Sequence, residues 1–186
     1  MILPIYAYGH PVLKKKGKDI DATYEGLTEL IANMFETMHH AHGVGLAAQQ
    51  IGIPINLFVV DTVQLKKEDD SDTIGIKQAF INAEILEFAP EQKTMEEGCL
   101  SIPNIRGDVD RPEKIHVRYL DEQFIEHVEA FDGYEARVIQ HELDHNHGKL
   151  FTEKLGSLKK QLIRRKLDAI RQGKIVADYQ MKFMPS

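Results

Sequence analysis

Apolar residues recur every three or four positions along 23–40, at Leu27, Leu30, Ile31, Met34, Phe35 and Met38. That period gathers them on one stripe, so the segment is predicted to be a core helix. Short runs rich in Val, Ile and Phe at 56–61 and 78–88 predict strands. Ile115, Val117 and Tyr119 alternate within 111–120, which predicts a strand opening at Arg111; the polar Asp121-Glu122-Gln123 then turns the chain into a second strand over 124–131. Helical spacing returns at Ala136, Ile139, Gln140 and Leu143, with Gly148 as a C-terminal stop. A last helix is predicted over 157–173, with Leu158, Leu162, Leu167 and Ile170 as its apolar stripe, Ser157 as N-cap and Gly173 as stop. The charged run from Lys66 to Asp72, inside 62–77, reads as a mobile solvated loop with no assigned function.

Charge changes this picture at one end. The chain has 186 residues and a formal net charge of −6. Lys154 to Lys174 nevertheless holds eight basic residues against one acid, Asp168, which makes the last helix a basic appendage on an acidic body. The length and ordinary apolar fraction suit one compact domain, 1–186. The N-terminus places its lysines after a short apolar start broken by Pro4 and Pro11, the wrong order for a secretory signal, and no run approaches the roughly 18 apolar residues of a membrane helix. The single cysteine, Cys99, excludes an intramolecular disulfide and agrees with a reducing compartment. A cytoplasmic protein is expected.

Candidate chemistry centres on Gln140-His141-Glu142-Leu143-Asp144-His145-Asn146-His147-Gly148. Residues four apart share a helix face, so His141 and His145 can direct imidazoles at one ion while Glu142 stands beside it as a proton carrier. A catalytic site of this type has three protein ligands and an open position for water. In the extended protease pattern the third ligand would fall at Phe151, which cannot ligate. Cys99 sits in Glu96-Glu97-Gly98-Cys99-Leu100-Ser101-Ile102-Pro103, a polar turn that suits a ligand better than a structural thiol. A Cys-His-His set accepts divalent iron, zinc, cobalt or nickel. Histidines 39, 40 and 42 close the first helix and are read as partners of its dipole, not as a second site; His116 and His127 are read as surface residues on strands.

Gly43-Val44-Gly45-Leu46-Ala47-Ala48-Gln49-Gln50 lacks the further Gly and the Lys of a phosphate loop. Two readings are open. One is a tight helix-to-strand turn; the other is a glycine-lined backbone lying against a bound peptide, with Gln50 aimed into the site as a neutral donor.

Taken together, Gly43 to Gln50, Glu97 to Ser101 (E-G-C-L-S) and Gln140 to Gly148 resemble the three blocks of peptide deformylases, in order and spacing. The likeness extends from about Gly9-His10-Pro11-Val12-Leu13 to Lys149-Leu150-Phe151. It implies an α+β fold in which a central metal-binding helix packs among antiparallel strands, with an additional C-terminal helix. It implies metal ligands Cys99, His141 and His145, normally with ferrous iron and with zinc, nickel or cobalt as alternatives. Glu142 would be the general acid/base, Gln50 and the Leu100 backbone N–H would hold the oxyanion, and Gly45 would lie along the substrate backbone. Val44 and Leu100 are candidates to line a methionine pocket, and Glu97 on the substrate side would pair with Arg111. The implied reaction removes formate from N-formyl-methionyl nascent chains. The implied partners are that peptide and, through the basic C-terminal helix, the ribosome; an ordinary solvated amphipathic helix is an equal reading. No membrane and no sequence-specific nucleic acid is expected. Two other classes stay in view: a His-Glu-x-x-His metallopeptidase, and a non-catalytic metal-stabilised binding module.

Overall fold

The structure is a computed structural model that describes residues 1–65 and 75–184. In chain order its elements are β1 (Ile5–Tyr6), α1 (Leu27–His40), β2 (Gly45–Ala47), β3 (Leu57–Asp61), β4 (Lys77–Phe88), β5 (Gln92–Cys99), β6 (Ile102–Pro112), β7 (Lys114–Leu120), β8 (Glu126–Asp132), α2 (Gly133–Asn146), α3 (Ser157–Arg171) and β9 (Met181–Lys182). Strands β2-β3-β4-β7-β8 form one antiparallel sheet, β5 and β6 a long hairpin, and β1 and β9 a parallel pair. Helix α2 packs on β2, β3 and β8 and also touches β6, so it lies between the sheet and the hairpin.

The apolar pattern accounts for most of this. On α1, Leu27, Ile31, Met34 and Met38 are buried against Leu46, Leu57, Val59 and Ile81. The helix starts four residues later than its spacing suggests. Asp21 accepts the Thr23 N–H at 2.9 Å, holding the chain in a turn, and Gly26 enters the left-handed region at φ 74° just before Leu27. A second core joins Ala136, Val138, Ile139 and Leu143 of α2 to Phe58, Phe80, Val117 and Phe131 of the sheet. Phe58 and Phe80 stack there at 4.7 Å, and truncating either to Ala should cost about 3–5 kcal/mol.

Strands β5 and β6 have no counterpart in the expectations. Along β6 the inward positions are Ile105, Gly107, Val109 and Arg111, so a glycine and an arginine interrupt the apolar alternation. Gly107 is there because a Cβ would lie 2.7 Å from Leu155 Cδ2. Arg111 therefore belongs near the end of β6, and the strand expected from Arg111 begins instead at Lys114. The turn at Asp121 is as expected, with its carboxylate accepting the Gln123 and Ile125 N–H groups at 2.9 and 3.0 Å.

The C-terminal helix needs two corrections. Ser157 is its first helical residue and does not cap it; Gly156 precedes it without a side-chain bond. Its buried stripe is Ile163, Leu167 and Ile170, packed on Ile105 and Phe151, while Leu158 and Leu162 face outward. The charged run 66–72 lies outside the described residues. No helix among the described residues is long and apolar enough to cross a membrane.

Candidate metal centre

Helix α2 buries Arg137, Gln140, His141, Glu142, His145 and Asn146, a polar set that costs free energy unless each member finds partners. The β5–β6 hairpin supplies most of them. Arg111 forks onto Glu97 at 2.6 and 3.0 Å and reaches Asp144 at 2.8 Å. Arg137 donates to Glu97 Oε1 at 2.9 Å and to the Val109 carbonyl at 2.7 Å, and also bonds the Lys93 carbonyl. Gln140 donates to the Pro112 carbonyl at 2.9 Å. His141 Nδ1 meets Glu97 Oε2 at 2.9 Å. Glu97 thus serves two arginines and a histidine. Burial alone would raise its pKa, but the bonds from His141 and Arg111 overcome that and hold it far below the ordinary carboxylate range.

With Nδ1 fixed by Glu97, His141 presents its other nitrogen to the cleft. One turn on, the His145 ring centroid lies 5.1 Å away, and His145 Nε2 is 3.2 Å from Cys99 Sγ. One donor atom from each of Cys99, His141 and His145 falls within 4.8 Å of the other two, a spacing that one ion with bonds of about 2.0–2.3 Å can bridge. The donor chemistry, a thiol and two imidazoles, suits a soft-to-borderline divalent metal. Glu142 Oε2 and His145 Nδ1 are buried with no hydrogen-bond partner among the described residues. The residues present fit a resident metal.

Electrostatics set the pair of imidazoles apart. Burial opposes charge on His141, yet the Cys99 sulfur and the Glu97 carboxylate hold its pKa well above the usual value. Burial, reinforced by charge on His141, pushes His145 well below it. Burial also lifts the Glu142 carboxyl to about 7, against the pull of His141. A carboxyl poised there can hold or release a proton near neutrality.

The segment after α1 forms the facing wall. Gly45 lies against Glu142, since a Cβ there would stand 2.4 Å from Glu142 Oε1. Beyond β2 a short 3-10 turn, Ala48–Ile51, carries Gln50, whose Oε1 accepts the Ala47 N–H at 2.9 Å. Its Nε2 is then directed at Cys99 Sγ, 3.4 Å away, and at Ser101 Oγ, 3.2 Å. Val44 and Leu100 are half-buried at the edge of a cleft of about 420 Å³ that includes Gly45, Gln50, His141 and Glu142. Leu100 follows Cys99 in the turn between β5 and β6.

All of the sequence-derived site residues converge on this cleft or directly behind it. Glu97 differs in placement: it is almost wholly buried, with both oxygens bonded to protein, so it stands behind His141 instead of reaching outward. Phe151 is in the core with its ring 5.9 Å from that of His141. His39 pairs with Asp61 at 2.9 Å, His127 with Asp121 at 2.7 Å and His116 with Glu87 at 3.6 Å. Two contributors were not anticipated. Arg137 stands four residues before His141, the same spacing that singled out His145, and that spacing was a usable signal. Tyr179, which donates to the Leu100 carbonyl at 2.7 Å, lies in a segment without any local motif.

Three clustered donors able to hold a metal, beside a buried carboxylate in an open cleft of an α+β fold, are the arrangement a metal-dependent hydrolase requires. Comparison with known proteins narrows the class. The polypeptide deformylase family pattern matches residues 2–161. The peptide deformylase of Flavobacterium johnsoniae is 50% identical over 98% of this chain and 96% of its own, and that of Salinibacter ruber is 46% identical over 97% and 94%. Among solved structures, a peptide deformylase from Legionella pneumophila superposes with a TM-score of 0.81 at 38% identity, covering 94% of this chain and 98% of its own. One from Plasmodium falciparum gives 0.82 at 30% identity, over 91% and 95%. The chain belongs to the polypeptide deformylase family. It is an enzyme that removes the N-terminal formyl group from formyl-methionyl nascent polypeptides, within a family that depends on a metal.

Proposed function

We propose that residues 1–186 act as a single catalytic domain in which Cys99, His141 and His145 hold one divalent ion, ferrous iron in the cell and zinc, nickel or cobalt as substitutes. The observation that carries this reading is the convergence of those three donors beside the unpartnered oxygen of Glu142. Such an ion lowers the pKa of water towards ~7 and polarises a carbonyl. Glu142 accepts the proton of the attacking water and delivers it to the departing amine. The formyl carbon gains the water oxygen, its bond to the methionine nitrogen breaks, and formate leaves. Charge that develops on the formyl oxygen meets the Gln50 amide and the Leu100 backbone N–H. Donors of this kind are worth on the order of 3–4 kcal/mol in the transition state, so Gln50 should affect rate more than binding.

Gly45 clears the space Glu142 occupies and leaves a bare backbone edge for the peptide. Val44 and Leu100 offer apolar surface for the methionine side chain. Glu97 acts from behind, by orienting His141. The basic face of α3 suits attraction to ribosomal RNA phosphate, and an enzyme acting on nascent chains belongs in the cytoplasm.

The test is formate release from a short N-formyl-methionyl peptide, with protein purified without oxygen and loaded with ferrous iron or nickel. Release by the parent, with a loss of about 10²–10⁴-fold in Glu142→Ala that still holds metal, is expected. Undiminished release by that variant removes Glu142 from the chemistry. A fully metallated, active Cys99→Ala protein removes Cys99 from the ligand set.

A further inference from the structure

Beyond α3 the chain returns to the active site. β9 pairs in parallel with β1, and the Ile5 and Ala7 N–H groups donate to the Gln180 and Lys182 carbonyls, each at 2.9 Å. Just past β1, the Tyr8 N–H donates to the Ser101 carbonyl at 2.8 Å. From the other side, the Tyr179 hydroxyl donates to the Leu100 carbonyl at 2.7 Å. The two ends of the chain therefore grip the Leu100-Ser101 turn that follows Cys99. Ala177, Asp178 and Tyr179 also line the cleft. All three lie past residue 161, where the match to the family pattern ends.

Leu100 needs such anchoring. Its side chain rests on the bare backbone of Gly43, where a Cβ would meet Leu100 Cδ1 at 2.7 Å. That contact holds the side chain but does not orient the Leu100 carbonyl, which lies in the turn between the paired residues Cys99 and Ile102. A donor to a developing charge has to be held within about 0.5 Å and 10–20° of its productive geometry. The Leu100 N–H belongs to the preceding Cys99–Leu100 unit, so the bond from Tyr179 acts on it through Leu100 itself: pinning the carbonyl on one side narrows the backbone conformations that Leu100 can adopt. Burial raises the Tyr179 pKa well above the ordinary value, so the hydroxyl stays a donor.

We propose that Tyr179 is a positioning residue for deformylation: carried on the C-terminal strap, its hydroxyl fixes Leu100 so that the Leu100 N–H faces the developing oxyanion. This rests on the role given to Leu100 above. Tyr179→Phe removes one oxygen and keeps the ring, which is partly buried against the same core cluster as Leu100. In the full-length, metal-loaded enzyme, kcat for formate release should fall about tenfold, less than loss of a direct donor, with KM within about twofold and an almost unchanged thermal midpoint. In the metal-free protein, the amide resonances of Leu100 and Ser101, neither of which donates a backbone bond in the turn, should shift or broaden while those of distant residues stay in place. Unmoved resonances at the turn overturn the proposal. So does unchanged kcat, or a loss of kcat that accompanies shifts throughout the protein. A metallated parent that itself releases no formate overturns the assigned reaction, an outcome distinct from failure of the variant alone.

Discussion

Helices α2 and α3, of 14 and 15 residues, distribute polarity in opposite ways. α2 hides an arginine, a glutamate, two histidines and two amides, whereas α3 leaves Leu158 and Leu162 about 70% and 68% exposed. The difference follows from what holds each helix. Polar side chains inside a protein need individual partners, so α2 is tied residue by residue to the β5–β6 hairpin through Glu97, Arg111 and Asp144. α3 rests on a narrow apolar strip, Ile163, Leu167 and Ile170, and most of the remainder of its circumference is exposed. Changes in the α2 network should therefore be severe and coupled; changes on the free faces of α3 should leave the fold intact.

The sharpest test of that contrast is Glu97→Ala. It takes the shared carboxylate from Arg111, Arg137 and His141, leaving Arg111 only Asp144 and Arg137 only backbone carbonyls, and breaking a buried charge pair from one side costs about 3–5 kcal/mol. Because His141 also loses the partner that fixes its Nδ1, metal affinity should drop about 10–100-fold. Thermal unfolding and metal titration would show both, and a variant with parental stability would mean that the network contributes little. The same carboxylate gives the metal-free parent an acid dependence. Its folded pKa lies below the unfolded value of 4.5, so its stabilisation is complete above that value and is lost as pH falls towards the folded pKa. Midpoints measured from pH 6 downwards should decline below about 4.5 in the parent and more gently in Glu97→Ala.

A smaller and more local effect is expected of Gly45→Ala. The new methyl would crowd Glu142 Oε1 well inside van der Waals contact, so the carboxylate must shift by roughly an ångström, a displacement that can cost about 100-fold in turnover. The three atoms nearest that methyl all belong to Glu142, so metal content should match the parent. Loss of metal along with activity would show that Gly45 supports the ligands too.

How much of this could be read from residues alone depended on whether a position announced itself locally. His141, Glu142 and His145 did, through a helical period of four. Cys99 and Gln50 did through short flanking blocks. The β5–β6 hairpin did not, because its inward face carries Gly107 and Arg111, residues whose burial makes sense only beside Leu155 and Glu97. Along α3 the period was visible but the phase was not. Leu158 and Leu162 fit a helical stripe as well as Ile163 and Ile170, and only contact with Ile105 and Phe151 decides which set is buried. Tyr179 had no local signal, since its effect depends on a fold that brings residue 179 beside residue 100.

The weakest effect on stability should come from Leu158→Ser with Leu162→Ser. Both side chains are largely hydrated in the folded as well as the unfolded chain, so the double variant should fall within about 0.5 kcal/mol of the parent and retain full turnover on short peptides. If α3 docks on the ribosome, these leucines, flanked by Lys159, Arg165 and Lys166, are the apolar part of its contact surface. Co-sedimentation with ribosomes should then weaken in the double variant and also fall with added salt, because the basic residues act through phosphate. A binding that responds to salt but not to the leucines would reduce α3 to a purely electrostatic tether. A large drop in thermal midpoint would instead show that the exposed face of α3 packs in solution, and would dissolve the contrast with α2.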